Sequence, residues 1–207
     1  MRGVRAGVTK CIKVVQPRPS DFHVGRVERL LGRSAVDPNE REVREYERLT
    51  RKGVPIHTYF PRIHGFVETD LGRGLVVDFI CGTDLKPPVS VSDYAKHGVW
   101  PSGLSDEMVT KGLGEFADFC SRYGILGACT EPHNIGFVRT VDGFRCVAFD
   151  LKIRFNKELI PIASLFAHVR RRKVARRFAR TIAKVEELLK TSRAHASSHG
   201  NGGPQNR

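Results

Sequence analysis

The sequence predicts an α+β protein of two lobes, the first built on a few strands and one helix, the second mainly helical. Three observations lead there. Strand-like runs rich in β-branched residues occupy the first eighty residues; "CGTDLKPP" then breaks the pattern with Gly82, Pro87 and Pro88; and long helical periodicities dominate the remainder of the chain. A chain of 207 residues is long enough for one substantial core or two small lobes.

The first strand is "CIKVV", 11–15, ended by "QPRPSD", where Pro17 and Pro19 forbid both ladder and helix. Asp37-Pro38-Asn39 is an N-terminal helix signal, and "NEREVREYERLTRKG" reads as a charged helix stopped at Gly53. Its apolar stripe is narrow, only Val43, Tyr46 and Leu49, as in a helix that leans on a sheet with most of its surface wet. "IHGFVETD" and "GLVVDFI" flank a glycine-containing turn and predict a hairpin. Beyond the proline break, "SVSDYAKHG" is a short helix. "SDEMVTKGLGEFADFCSRYGI" is a longer one, capped by Ser105, with Met108, Leu113, Phe116, Phe119 and Cys120 toward a core. "IGFVRT" and "FRCVAFD" form a second hairpin through Asp142-Gly143. A long basic helix comes next, with Val174, Phe178, Ile182, Val185 and Leu189 on one face, and then a polar, glycine-rich end expected to be disordered.

Hydrophobic residues make up 40% of the chain and charged residues 28%, the balance of an ordinary globular protein. No apolar run approaches the ~18 residues of a membrane span, and Met1 is followed by Arg2, Gly3 and Val4 rather than a signal-peptide core, so a cytoplasmic location is expected. Cysteines at 11, 81, 120, 129 and 146 are odd in number, scattered and without a Cys-x-x-Cys pair, which points away from a disulfide framework or a zinc site. The net charge of +13 is concentrated: residues 168–207 hold eleven Lys or Arg against Glu186 and Glu187.

The order strand, charged helix, hairpin, break, helices, Pro-x-Asn loop, hairpin ending in Asp, helix is that of a protein-kinase-like two-lobed fold with a truncated N-lobe. The predicted organisation is a reduced N-lobe at 1–82, a C-lobe at 83–167, a basic amphipathic helix at 168–193 and a disordered tail at 194–207. Phosphoryl transfer asks for cations on the phosphates and a metal to spread charge, and in kinases a strand lysine is oriented by a glutamate of the following helix. Lys13 lies in "CIKVV", facing opposite to Ile12 and Val14, and Glu45 lies in mid-helix. Asn134 and Asp150 offer a neutral oxygen and a carboxylate at the two ends of a hairpin, as a shared Mg2+ needs. When Pro132-His133-Asn134 is laid on the kinase loop, Cys129 occupies the place of the catalytic Asp and Glu131 that of the Lys, while Lys152 stands where kinases keep a glycine. A neutral thiol is a poor proton acceptor, and loss of a general base costs about 10² to 10⁴ in rate. Only twelve residues precede Lys13, with Gly3 and Gly7 a faint echo of a glycine-rich phosphate lid.

"CIKVV", "REYERL", "FPRIHGFVETDLGRGLVVDFI", "EPHNIGFV" and "ELIPIA" together resemble the PhoP regulatory network protein YrbL family, a bacterial group with a protein-kinase-like fold. The most specific part is "HGFVETDLGRGLV", and the resemblance extends from about Lys10 to about Lys190. It implies transcription under a magnesium-sensing two-component system in some members and carries no settled biochemical activity. On the kinase pattern, Asp78, Phe79 and Ile80 take the place of the hinge, beside Lys13 and Glu45 for the cofactor and Asn134 and Asp150 for the metal.

The resulting expectation is a degenerate kinase or nucleotide-binding regulatory protein, with ATP and Mg2+ as cofactors and an unidentified protein partner. Two rival readings stand beside it: an active ATP-dependent phosphotransferase on a small molecule or protein, and a binder of nucleic acid or anionic membrane through the basic helix. Each residue also has a plain structural reading. Lys13 serves as a solvated strand-edge lysine, Glu45 as one of several helix acids, Asn134 and Asp150 as turn or cap residues, and His57, His64 and His133 as surface histidines.

Overall fold

β-branched residues on alternate positions form the first sheet, and turn chemistry sets its registers. A computed structural model describes residues 2–5, 9–15, 37–93, 101–127, 131–151 and 167–199, the side chains of 2–5 and 192–199 lying outside the description. By internal contacts the chain divides into two units, Met1–Ile80 with Asp150–Ile153, and Cys81–Phe149 with Arg154–Arg207. Each is mixed α and β, with one small antiparallel sheet.

The sheet of the first unit comprises β1 (Arg2–Arg5), β2 (Lys10–Val14), β3 (Ile63–Thr69) and β4 (Gly72–Asp78), in the order β1-β2-β4-β3. β1 had no sequence signal: "RGVR" carries one β-branched residue, and its strand character comes from pairing with β2, Arg2 opposite Val14 through Arg5 opposite Cys11. The predicted hairpin β3–β4 closes through Asp70 and Leu71, with Thr69 opposite Gly72 and a bulge between Ile63 and Gly65. Close strand packing requires glycine at 74, where a Cβ would come within 2.3 Å of Ile12 Cγ2.

Helix α1 (Pro38–Arg51) comes after β2. Asp37 caps it, its carboxylate accepting from Asn39 N–H at 2.7 Å, with Pro38 at the first position and Glu40 in the first turn. The buried face differs from the predicted stripe: Asn39, Glu42, Glu45 and Leu49 are buried, while Val43 and Tyr46 are only partly so. Asn39 and Glu42 turn inward because β2 and Leu151 supply partners for them, and Glu45 is met by Arg48 of the same helix. Leu49, Ile56, Phe60, Leu75, Val77 and Leu151 form the apolar core around them.

The second unit has a three-stranded sheet of β5 (Val89–Ser90), β6 (Ile135–Thr140) and β7 (Gly143–Ala148), in that order. Its helices are α2 (Asp106–Tyr123) and α3 (Ala167–His199), which pack on each other. α2 begins as expected, Ser105 Oγ accepting from Met108 N–H at 3.2 Å, and ends at Gly124 in the left-handed region, φ +65°. Leu113, Phe116 and Cys120 are in the core as expected, joined by Val109 in place of the exposed Met108, while Phe119 is only partly buried. α3 buries Val174, Phe178, Val185 and Leu189, and Phe116 meets Phe178 edge to face at 5.3 Å. Thr181 takes the buried place expected of Ile182, its hydroxyl satisfied by Arg177 O at 3.2 Å. The helix runs to His199, past the predicted end at 193, because Ala194 and Ala196 continue it before Gly200. Among the described residues no helix is long and apolar enough to cross a membrane.

Candidate functional site

Ile12 and Val14 both point at the Gly74 position, their methyls 2.3 and 3.3 Å from where its Cβ would be, so strand alternation sends Lys13 to the other face of the sheet. There Lys13 Nζ donates to Glu42 Oε1 at 2.5 Å, and the two side chains are 13% and 2% exposed. The same oxygen lies 3.5 Å from Leu151 N, a long hydrogen bond. One carboxylate thereby joins β2, α1 and the segment beginning with the buried Asp150. Asn39, one helical turn before Glu42, donates Nδ2–H to Lys13 O at 2.7 Å and anchors the helix start to the strand. A lysine so placed has its rotamer held by the pair.

Glu45, the expected partner of Lys13, is elsewhere. Both of its oxygens are held by Arg48, Nε to Oε2 and Nη2 to Oε1, each at 2.6 Å. That hydrogen-bonded fork raises the Arg48 pKa despite partial burial. The helix glutamate facing the strand lysine is Glu42. A signal for it existed in the sequence: Glu42 lies seven residues before Leu49, the one stripe residue that is fully buried, so the two share a face.

The remaining expected residues of the first unit sit at the end of β4. Asp78 N–H donates to Arg62 O and Phe79 N–H to Thr9 O, both at 2.9 Å. The Asp78 carboxylate pairs with His64 Nε2 at 2.6 Å, giving His64 a partner that its sequence context did not disclose. Ile80 is next, partly buried. Cys11, opposite Val77, has its thiol pKa raised, chiefly by burial, with Lys13 opposing and Glu42 and Asp78 adding.

In the second unit Asn134 ends a 3-10 turn, Pro132–Asn134, its N–H donating to Glu131 O at 2.8 Å. Its carbonyl accepts from Phe149 N–H at 2.9 Å, extending the β6–β7 register one step beyond the Ile135–Ala148 pair. The hairpin thus sets Asn134 opposite the residue that precedes Asp150. Cys129 and Lys152 lie outside the described residues.

Two acceptors beside Lys13, Asn39 Oδ1 and Glu42 Oε2, are buried without a hydrogen-bond donor among the described residues. An unmet buried acceptor costs about 1–3 kcal/mol, so this corner of the unit attracts a donor or a cation. Among the described residues no three His, Cys, Asp or Glu side chains gather as a metal cage.

The profile of the family described as PhoP regulatory network protein YrbL matches residues 7–186. The chain belongs to that family. It is 32% identical over 87 residues to the uncharacterized protein YrbL of Escherichia coli (strain K12), and equally to that of Shigella flexneri. The aligned segment is 42% of this chain and 35% of either relative, so the chain spans about a third of the curated proteins it matches. No solved structure matches the chain.

Proposed function

We propose that this YrbL-family protein is a kinase-like, nucleotide-responsive regulator that holds ATP with Mg2+ and lacks efficient phosphotransfer. One observation carries the reading, the Lys13–Glu42 pair, in which a strand lysine is oriented by a glutamate of the next helix and the same carboxylate reaches the segment bearing Asp150. That is the arrangement by which kinases ready a lysine for phosphates. In this reading Lys13 binds phosphate oxygens, Glu42 fixes its direction, and Asp150 supplies a carboxylate oxygen to the metal. When bound, Mg2+ would spread the negative charge of the phosphates. The N–H groups of Asp78 and Phe79 are already used in the sheet, so base recognition at this segment falls to Ile80 and the main-chain carbonyls. Transfer is left out of the proposal because Cys129 stands where the base is expected.

Thermal denaturation of the full chain with and without ATP and Mg2+ tests this. A ligand-induced rise in Tm is expected in the wild type and in Glu45→Gln, and a loss of that rise in Lys13→Met and Asp150→Asn. Equal rises in all four proteins, or none in the wild type, would refute nucleotide binding at this site.

A further inference from the structure

A cavity of about 320 Å³ opens wholly within the second unit, lined by Gly127, Glu131 and Pro132 of the loop entering β6 and by Arg177, Arg180, Thr181 and Lys184 of α3. Three cations against one carboxylate make its wall net positive. Their steps of three and four residues put them on one helical face, where like charges destabilise an isolated helix by a few tenths of a kcal/mol per pair. α3 is held through the buried Val174, Phe178, Val185 and Leu189, and the buried Thr181 is shared between that stripe and the cavity wall.

We propose that this cavity is an anion site for the phosphate group of a soluble phosphate monoester. Arginine forks match phosphate oxygens two at a time, and Lys184 adds a point charge. The volume, at the lower end for small-molecule pockets, fits a phosphorylated metabolite rather than a nucleic-acid backbone, which needs an extended basic track. Insertion of α3 into a lipid surface would require its apolar face, and that face is packed against α2. The site uses no residue of the Lys13 cluster, so it stands or falls independently of nucleotide binding there.

Calorimetric titration of the full chain with inorganic phosphate, at fixed ionic strength, is the test. Arg180 and Lys184 are exposed, so Arg180→Gln/Lys184→Gln should leave the fold intact by circular dichroism. Arg171→Gln/Arg172→Gln, equally exposed on the same helix, removes the same charge away from the cavity. Saturable binding is expected in the wild type, weakened at least tenfold by the first pair and less than twofold by the second. Equal weakening by both pairs would reduce the effect to diffuse charge and overturn the site, as would unsaturable wild-type binding. Vesicles carrying phosphatidic acid, titrated in parallel, tell a lipid phosphate from a soluble one: vesicle binding lost with the first pair but not the second would overturn the soluble source.

Discussion

Changing Glu42 to Gln separates the observed partner of Lys13 from the expected one. At 2.5 Å, with an effective dielectric of about 20, the charges attract by about 7 kcal/mol before desolvation is counted. Removing one member of a buried pair costs about 3–5 kcal/mol, because the other is left uncompensated. Two features reduce that here: Lys13 retains 13% exposure, and a glutamine oxygen still accepts from the ammonium. The expected loss is therefore about 2–3 kcal/mol, read as a fall in the urea midpoint at unchanged slope. A double-mutant cycle with Lys13→Met isolates the pair, and a coupling of about 1–3 kcal/mol is expected for Glu42→Gln. Glu45→Gln, whose carboxylate serves Arg48, should combine additively with Lys13→Met within about 0.5 kcal/mol. Coupling of Lys13 to Glu45 but not to Glu42 would refute the geometry and restore the assignment read from sequence.

Phe178→Ala should destabilise the second unit by about 3–5 kcal/mol in chemical denaturation, since it empties a fully buried ring site and removes the edge-to-face contact with Phe116. Gly74→Ala forces a Cβ to 2.3 Å from Ile12 Cγ2, and a loss of about 1–3 kcal/mol is expected by the same measurement. Ser105→Ala, which deletes the α2 cap, should cost about 1 kcal/mol. For His57, burial and then the charge of Arg62 lower the pKa below 6.5, so NMR titration should find it titrating under that value. Its folded form binds protons less readily than the unfolded chain. The stability it contributes is thus present above the ordinary histidine pKa and lost as pH falls through the depressed one.

Local chemistry was legible in the sequence wherever a residue acts through its near neighbours. The Asp37-Pro38 cap, the β3–β4 and β6–β7 hairpins, Ser105 at the start of α2 and the apolar face of α3 all derive from turn residues and periodicity. β1 was not legible, because its pairing partner is several residues away and its own composition is neutral. The buried face of α1 was misread for a related reason. An apolar stripe marks a helix face when the core is apolar, but this face meets a lysine, a main-chain carbonyl and the N–H of Leu151, so Asn39 and Glu42 point inward where Val43 and Tyr46 were expected.

By itself, the order of residues determined most of the strands and helices, the family, and the basic character of the C-terminal helix. Tertiary structure decided which carboxylate answers Lys13. Glu40, Glu42, Glu45 and Glu47 are chemically alike in the chain, and only the rotation of α1 against β2, fixed by Asn39 on the Lys13 carbonyl and by Leu49 in the core, gives one of them a buried cation and another an arginine on its own helix. Helical periodicity limits the choice to a face. The packed sheet picks the residue, because a charge this deeply buried persists only where its partner already stands.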